Sequence, residues 1–200
     1  MSPVPSPLHA MTDDRNLLLR CLAALDEERP AVERADLANW TALLAARYEN
    51  VLADAFYPQM ADSLGTRSEI ERAGVRLQRA REAIGVVRSD LHGVAPIDAH
   101  AVDPDGIDAN IDAMVSTLRE LLRFEDAELF PLVEGLDPAD TNALRQSVES
   151  ASAHQTSLPD PPHNAVIRKL AEIKESVDLS LNDHSTSWHP GVDAVLRPSQ

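Results

Sequence analysis

Few residues in this chain could do chemistry, and Glu125 is the most informative of them. Apolar residues recur at Ile111, Met114, Leu118 and Leu121, the spacing of one face of an α-helix. The next position on that stripe is Glu125. A carboxylate facing hydrocarbon is costly unless it is paired, protonated or bound to a cation. Glu125 is therefore a candidate ligand, a candidate acid–base group or one half of a charge pair. Two carboxylates held together can do acid–base work, but the other acids nearby, Asp126, Glu128, Asp54 and Glu49, read as partly or wholly solvated. No histidine, nucleophile or oxyanion donor lies close to Glu125 in sequence. The seven histidines are His9 near the start, His92 and His100 at or in a loop, and His154, His163, His184 and His189 in a linker and tail. Cys21 is the single cysteine. It excludes an internal disulfide, has no partner motif for nucleophilic catalysis and reads as a small core residue.

The elements that must position these groups are helices. A first helix is expected from near Thr12, with Asp13 and Asp14 suited to its N-terminal dipole and Leu18, Cys21, Leu22 and Leu25 inward. A second is expected from Ala31 or Asp36 to Pro58, with Leu37, Trp40, Leu44, Tyr48 and Val51 on its buried face. Thr66-Arg67-Ser68-Glu69 reads as a capping box. It opens a third helix with the cleanest repeat: Ile70, Ala73, Leu77, Ala80, Ile84, Val87 and Leu91, the seam of a bundle helix. A loop spans Gly93 to Gly106. The fourth helix starts near Ile107 and stops or kinks at Pro131, whose ring and missing N–H disrupt regular helix, with a possible resumption to Glu134. Asp137-Pro138 opens a fifth helix to about Ser152, with Leu144 and Val148 inward. A Pro-rich linker follows at Leu158–Pro162, then a sixth amphipathic segment over about 165–179 carrying Val166, Ile167, Leu170, Ile173 and Val177. Residues 1–10 are Pro/Ser-rich and expected to be disordered.

The stretch from Glu125 to Leu129-Phe130-Pro131 resembles the fourth helix of the hemerythrin-like (HHE cation-binding) family, which carries His-x-x-x-Glu, a few acids and then Leu-Phe-Pro. Arg47 to Phe56-Tyr57-Pro58 resembles the matching motif on the second helix, so two similar helical hairpins follow one another. The resemblance implies an all-α, up-down-up-down four-helix bundle over residues 11–155, with one or two additional C-terminal helices and a Pro-rich linker, short helix and tail over 156–200. It also implies a di-iron or similar centre, with a His from helices one and three and a His and a Glu from helices two and four. Imidazole and carboxylate suit such metals. The family's ligand positions here are Arg15, Tyr48, Leu52, Gly74, Leu121 and Glu125, the third-helix position falling between Arg72 and Gly74. Only Glu125 matches, and none of the histidines lies at a ligand position. The expectation is that no metal or other cofactor is held. Arg15, Tyr48 and Glu125 should form a buried polar cluster in its place, with Arg72 the substitute for Arg15 in a shifted register. Leu52, Gly74 and Leu121 could line a vacated cavity.

Composition bounds the function. The 200 residues carry a formal net charge of −15 and include 44% hydrophobic and 4% aromatic residues, a globular chain that repels nucleic acid. A basic membrane patch, a membrane-spanning run and a signal-peptide pattern are all missing from the sequence, so a cytoplasmic location is expected. The leading expectation is a non-catalytic binding, regulatory or sensing module, not an enzyme, with an unknown protein partner or small molecule. The alternatives are a di-iron protein binding oxygen, peroxide or nitric oxide, and a binder of a small apolar ligand in the core cavity.

Overall fold

The computed structural model describes residues 6–28, 30–64, 68–92 and 104–155. Every regular element among them is helical, in keeping with a sequence that lacks alternating apolar runs. Five helices follow in chain order. Helix α1 is Thr12–Leu25. Helix α2 is Ala31–Val51, continued through a π-helical turn at Leu52–Phe56 into Tyr57–Leu64. Helix α3 is Ser68–His92. Helix α4 is Pro104–Phe124, continued through a second π-helical turn at Glu125–Leu129 into Phe130–Glu134, and α5 is Pro138–Ala153. The Thr66 capping box, most of the loop after α3, the Pro-rich linker and the segment 165–179 lie outside the described residues.

The buried faces are those that the apolar spacing dictates. Leu18, Cys21, Leu22 and Leu25 of α1 are buried, as are Leu37, Trp40, Leu44, Tyr48 and Val51 of α2. On α3 the buried line is Ala73, Leu77, Ala80, Ile84 and Val87, and on α4 it is Ile111, Met114, Leu118, Leu121 and Glu125. Helix α1 packs on α2, α2 on α3, α3 on α4, and α4 returns to α1. Helix α5 packs around the π turn of α2 and buries Leu144 and Val148. The Asp137 carboxylate caps α5, accepting from the N–H of Ala139 at 2.8 Å and of Asp140 at 2.9 Å.

Three expectations need correction. Residues 1–10 are not wholly unstructured: Ser6–Met11 forms a 3-10 helix. Leu8 and Met11 eclipse each other on its three-residue repeat and are buried, and the turn packs against α5. Helix α4 begins at Pro104, ahead of Ile107, because proline is at home in a first turn, where its missing N–H has no helical partner to lose. Pro58 does not end its helix, whereas after Pro131 the helix resumes to Glu134 as expected. Tyr57 N–H bonds back to Leu52 O, and Phe130 N–H to Glu125 O. Widening the turn just before Pro58 and Pro131 gives room to a ring that would otherwise strike the carbonyl four residues back.

Candidate functional site

Arg15, Tyr48 and Glu125 come from three helices and meet in the core. Arg15 sits in the first turn of α1, Tyr48 lies one turn before the π turn of α2, and Glu125 opens the π turn of α4. Their relative exposures are 0%, 1% and 0%. The Tyr48 hydroxyl donates to Glu125 Oε2 at 2.7 Å. Arg15 Nε stands 3.9 Å from the same oxygen, an ion pair beyond hydrogen-bonding distance. The guanidinium's hydrogen bond goes instead to Asp126 Oδ1 at 2.8 Å, and its carbon lies 5.3 Å from the centre of the Phe130 ring. Asp126, read from sequence as a partly solvated acid, is thus the closer partner of Arg15. Arg72 takes no part. It is exposed, lies over the Phe124 ring and pairs with Glu69 and Glu128.

Asp14, beside Arg15, faces the other neighbour. Its carboxylate is 2.8 Å from Arg47 Nε of α2. Two adjacent residues of opposite charge thereby tie the start of α1 to α2 and to α4.

Glu49 also corrects the sequence reading. It is 1% exposed, not outward-facing. Ala38, Ala42, Ala45 and Glu49 recur at helical spacing, and the three alanines are wholly buried. That second stripe is legible in the sequence and was the signal for Glu49. Eight positions later, Tyr57 would sit about 80° off the Glu49 line in a regular helix. The extra residue of the π turn removes most of that offset, and Tyr57 is buried too. Glu49 Oε1, Tyr57 Oη, Glu125 Oε1 and Arg15 Nη1 are buried without a hydrogen-bond partner among the described residues.

Burial dominates the electrostatics. It pushes Glu125 up to about 7, against the Tyr48 hydrogen bond and the Arg15 charge, which favour the carboxylate. Burial pushes Glu49 up to about 8, opposed by Arg81 and reinforced by Glu125. Tyr48 and Tyr57 are held well above the ordinary phenol value, by burial first and then by the Glu125 charge. Burial likewise raises the Cys21 thiol to about 12, so it is no nucleophile near neutrality.

The other positions at which the resemblance would place ligands diverge. Leu52 and Leu121 are wholly buried. Gly74 is exposed, and a Cβ built on it would meet nothing within 4 Å. It therefore lines no core cavity with the two leucines. The inward residue is Ala73, about 100° around the helix, on the line of Leu77 and Ala80. The donor set does not fit a di-metal centre: one carboxylate, already bonded to a tyrosine and beside a guanidinium, with two leucines where ligands would stand. No group of three or more His, Cys, Asp or Glu side chains suited to a metal ion occurs among the described residues.

These features define an all-helical protein whose core holds a polar cluster built around a charge pair. No family model matches the chain, and neither the curated proteins nor the solved structures contain a match. None of its described helices is long and apolar enough to cross a membrane.

Proposed function

We propose that this chain is a hemerythrin-like, up-down-up-down four-helix bundle with a helix added after it. In this reading a charge-compensated polar cluster stands where the family holds metal, and the protein works as a non-catalytic binding, regulatory or sensing module in the cytoplasm. One observation carries the reading. The single carboxylate at a family ligand position, Glu125, already accepts from Tyr48 at 2.7 Å and has Arg15 at 3.9 Å. A cation bound there would face a guanidinium that cannot lose its charge. The cyclic packing of α1 to α4 supports the bundle, and the paired aromatic–proline steps support its doubled-hairpin origin.

Two buried carboxylates raised toward neutrality are a pattern that acid–base enzymes share. Catalysis also needs a substrate within reach of those groups, and Glu49 and Glu125 are 1% and 0% exposed. The module reading therefore fits better than an enzyme.

Elemental analysis tests it. Protein expressed with iron supplied is expected to carry iron, manganese and zinc far below one ion per chain. Stoichiometric iron that disappears with Glu125→Ala would establish the di-iron alternative instead.

A further inference from the structure

The outer face of α3 carries residues that suit an exposed helix poorly. Gly74, Val75, Gly85 and Val86 all face solvent. Val75 at 55% and Val86 at 45% are the exposed large apolar side chains among the described residues. Glycine and valine are weaker helix formers than alanine. A Cβ built on Gly74 or on Gly85 meets nothing within 4 Å, so packing among the described residues requires neither glycine. Four unfavourable choices at positions that the described residues leave open call for a further contact.

Their spacing says what kind. Eleven positions separate Gly74 from Gly85 and Val75 from Val86, about three turns and roughly 16 Å. The glycines lie on one line along the helix and the valines on a parallel line about 100° away. Gln78 and Glu82 stand between the lines, and Arg79 flanks the valines.

We propose that this face of α3 docks on the same face of a second copy of the chain, antiparallel, about a two-fold axis passing between Ala80 and Arg81. Such an axis exchanges positions equally far before and after it. Val75 then lies opposite Val86 of the second copy, and Gly74 and Gly85 come within about two residues, roughly 3 Å along the helix, of facing each other. One edge closes valine on valine. The other brings two backbones together with no Cβ between them, the close approach that glycine permits. The same operation sets Arg79 against Glu82 of the second copy, twice, as a two-fold interface requires. Parallel docking in register would put Arg79 against Arg79 and Glu82 against Glu82, so the charges select the antiparallel arrangement.

Sedimentation of the full-length chain over a range of concentrations tests this. The wild type is expected to dimerise reversibly. Val75→Glu with Val86→Glu should leave a folded monomer, with the helical circular dichroism unchanged. Arg79→Glu should weaken the dimer at least tenfold, and adding Glu82→Arg should restore it. Gly74→Ala with Gly85→Ala gives a sharper reading: melting of the dilute monomer should rise, because alanine fits and favours helix, while association weakens. A monomer at every concentration, a dimer indifferent to these changes, or a charge swap that fails to restore association each overturns the proposal. The chain's two lysines, Lys169 and Lys174, settle the competing occupant. A thiol–amine cross-link from Gln78→Cys to either lysine within a monomer would assign the face to the chain's own C-terminal segment and refute the dimer.

Discussion

Arg15 is the residue on which the core charge balance turns. It faces Glu125 and Asp126 together, and its own side chain is 1% exposed. Removing one member of a buried pair leaves the other charge stranded, at a cost of about 3–5 kcal/mol, whereas replacing both with hydrocarbon can be neutral or stabilising. Arg15→Leu is therefore expected to destabilise the protein by about that amount in urea unfolding, and Arg15→Leu with Glu125→Leu by clearly less. Simple additivity of the two single changes would show that they do not interact. The three-residue cluster was legible because each member stands at a position where the resemblance places a ligand and each has a side chain suited to a carboxylate network. The partial exposure of Asp126 was legible but its hydrogen bond to Arg15 was not, and neither was the burial of Glu49. A single stripe was assigned to each helix, while α2 is buried against α1, α3 and α5 at once, so a second stripe along Ala38, Ala42 and Ala45 carries Glu49 inward.

The same limit operates on whole elements. Helical spacing located the five described helices, since an apolar line must find a partner to bury it. The fate of Pro58 was not legible, whereas the resumption to Glu134 after Pro131 was. A proline announces a disturbed turn, but only packing decides whether the chain leaves the helix or widens it. Here the widened turns keep Phe56, Tyr57 and Phe130 in the core, with the Phe56 and Phe130 rings 6.4 Å apart. Composition misled at Ser6–Met11, where serine and proline suggested disorder and two apolar residues three apart decided otherwise. Gly74 lies one position off the α3 seam that Ala73, Leu77 and Ala80 define. The cap of α5 was legible, and its strength can be measured. Asp137 receives two backbone N–H groups, so Asp137→Ala is expected to cost about 1 kcal/mol. Asp137→Asn should recover most of that in thermal unfolding. Equal losses from both changes would mean that the cap contributes charge, not hydrogen bonding.

For the molecule as a whole, Glu49 and Glu125 set a pH dependence with an unusual sign. Their ordinary value is 4.5, and burial raises them to about 8 and about 7 in the folded protein. Between those limits the folded state binds more protons than the unfolded chain, so stability falls as pH rises. The contribution is complete below about pH 4.5, where both states are protonated, and is lost as pH passes through 7 to 8. A formal charge of −15 acts in the same direction, because self-repulsion grows as groups deprotonate. Salt separates the two. At about 1 M ionic strength the screening length is about 3 Å, which suppresses repulsion among exposed charges far more than any effect of a buried carboxylate. The melting temperature in 1 M salt is therefore expected to drop still between pH 5.5 and pH 8.5. Glu49→Gln, which keeps the shape of Glu49 and cannot ionise, should flatten the upper part of that drop. A melting temperature in 1 M salt that is flat across this range, or equally steep with Glu49→Gln, would mean that the two carboxylates stay ionised and that water reaches them in the folded core.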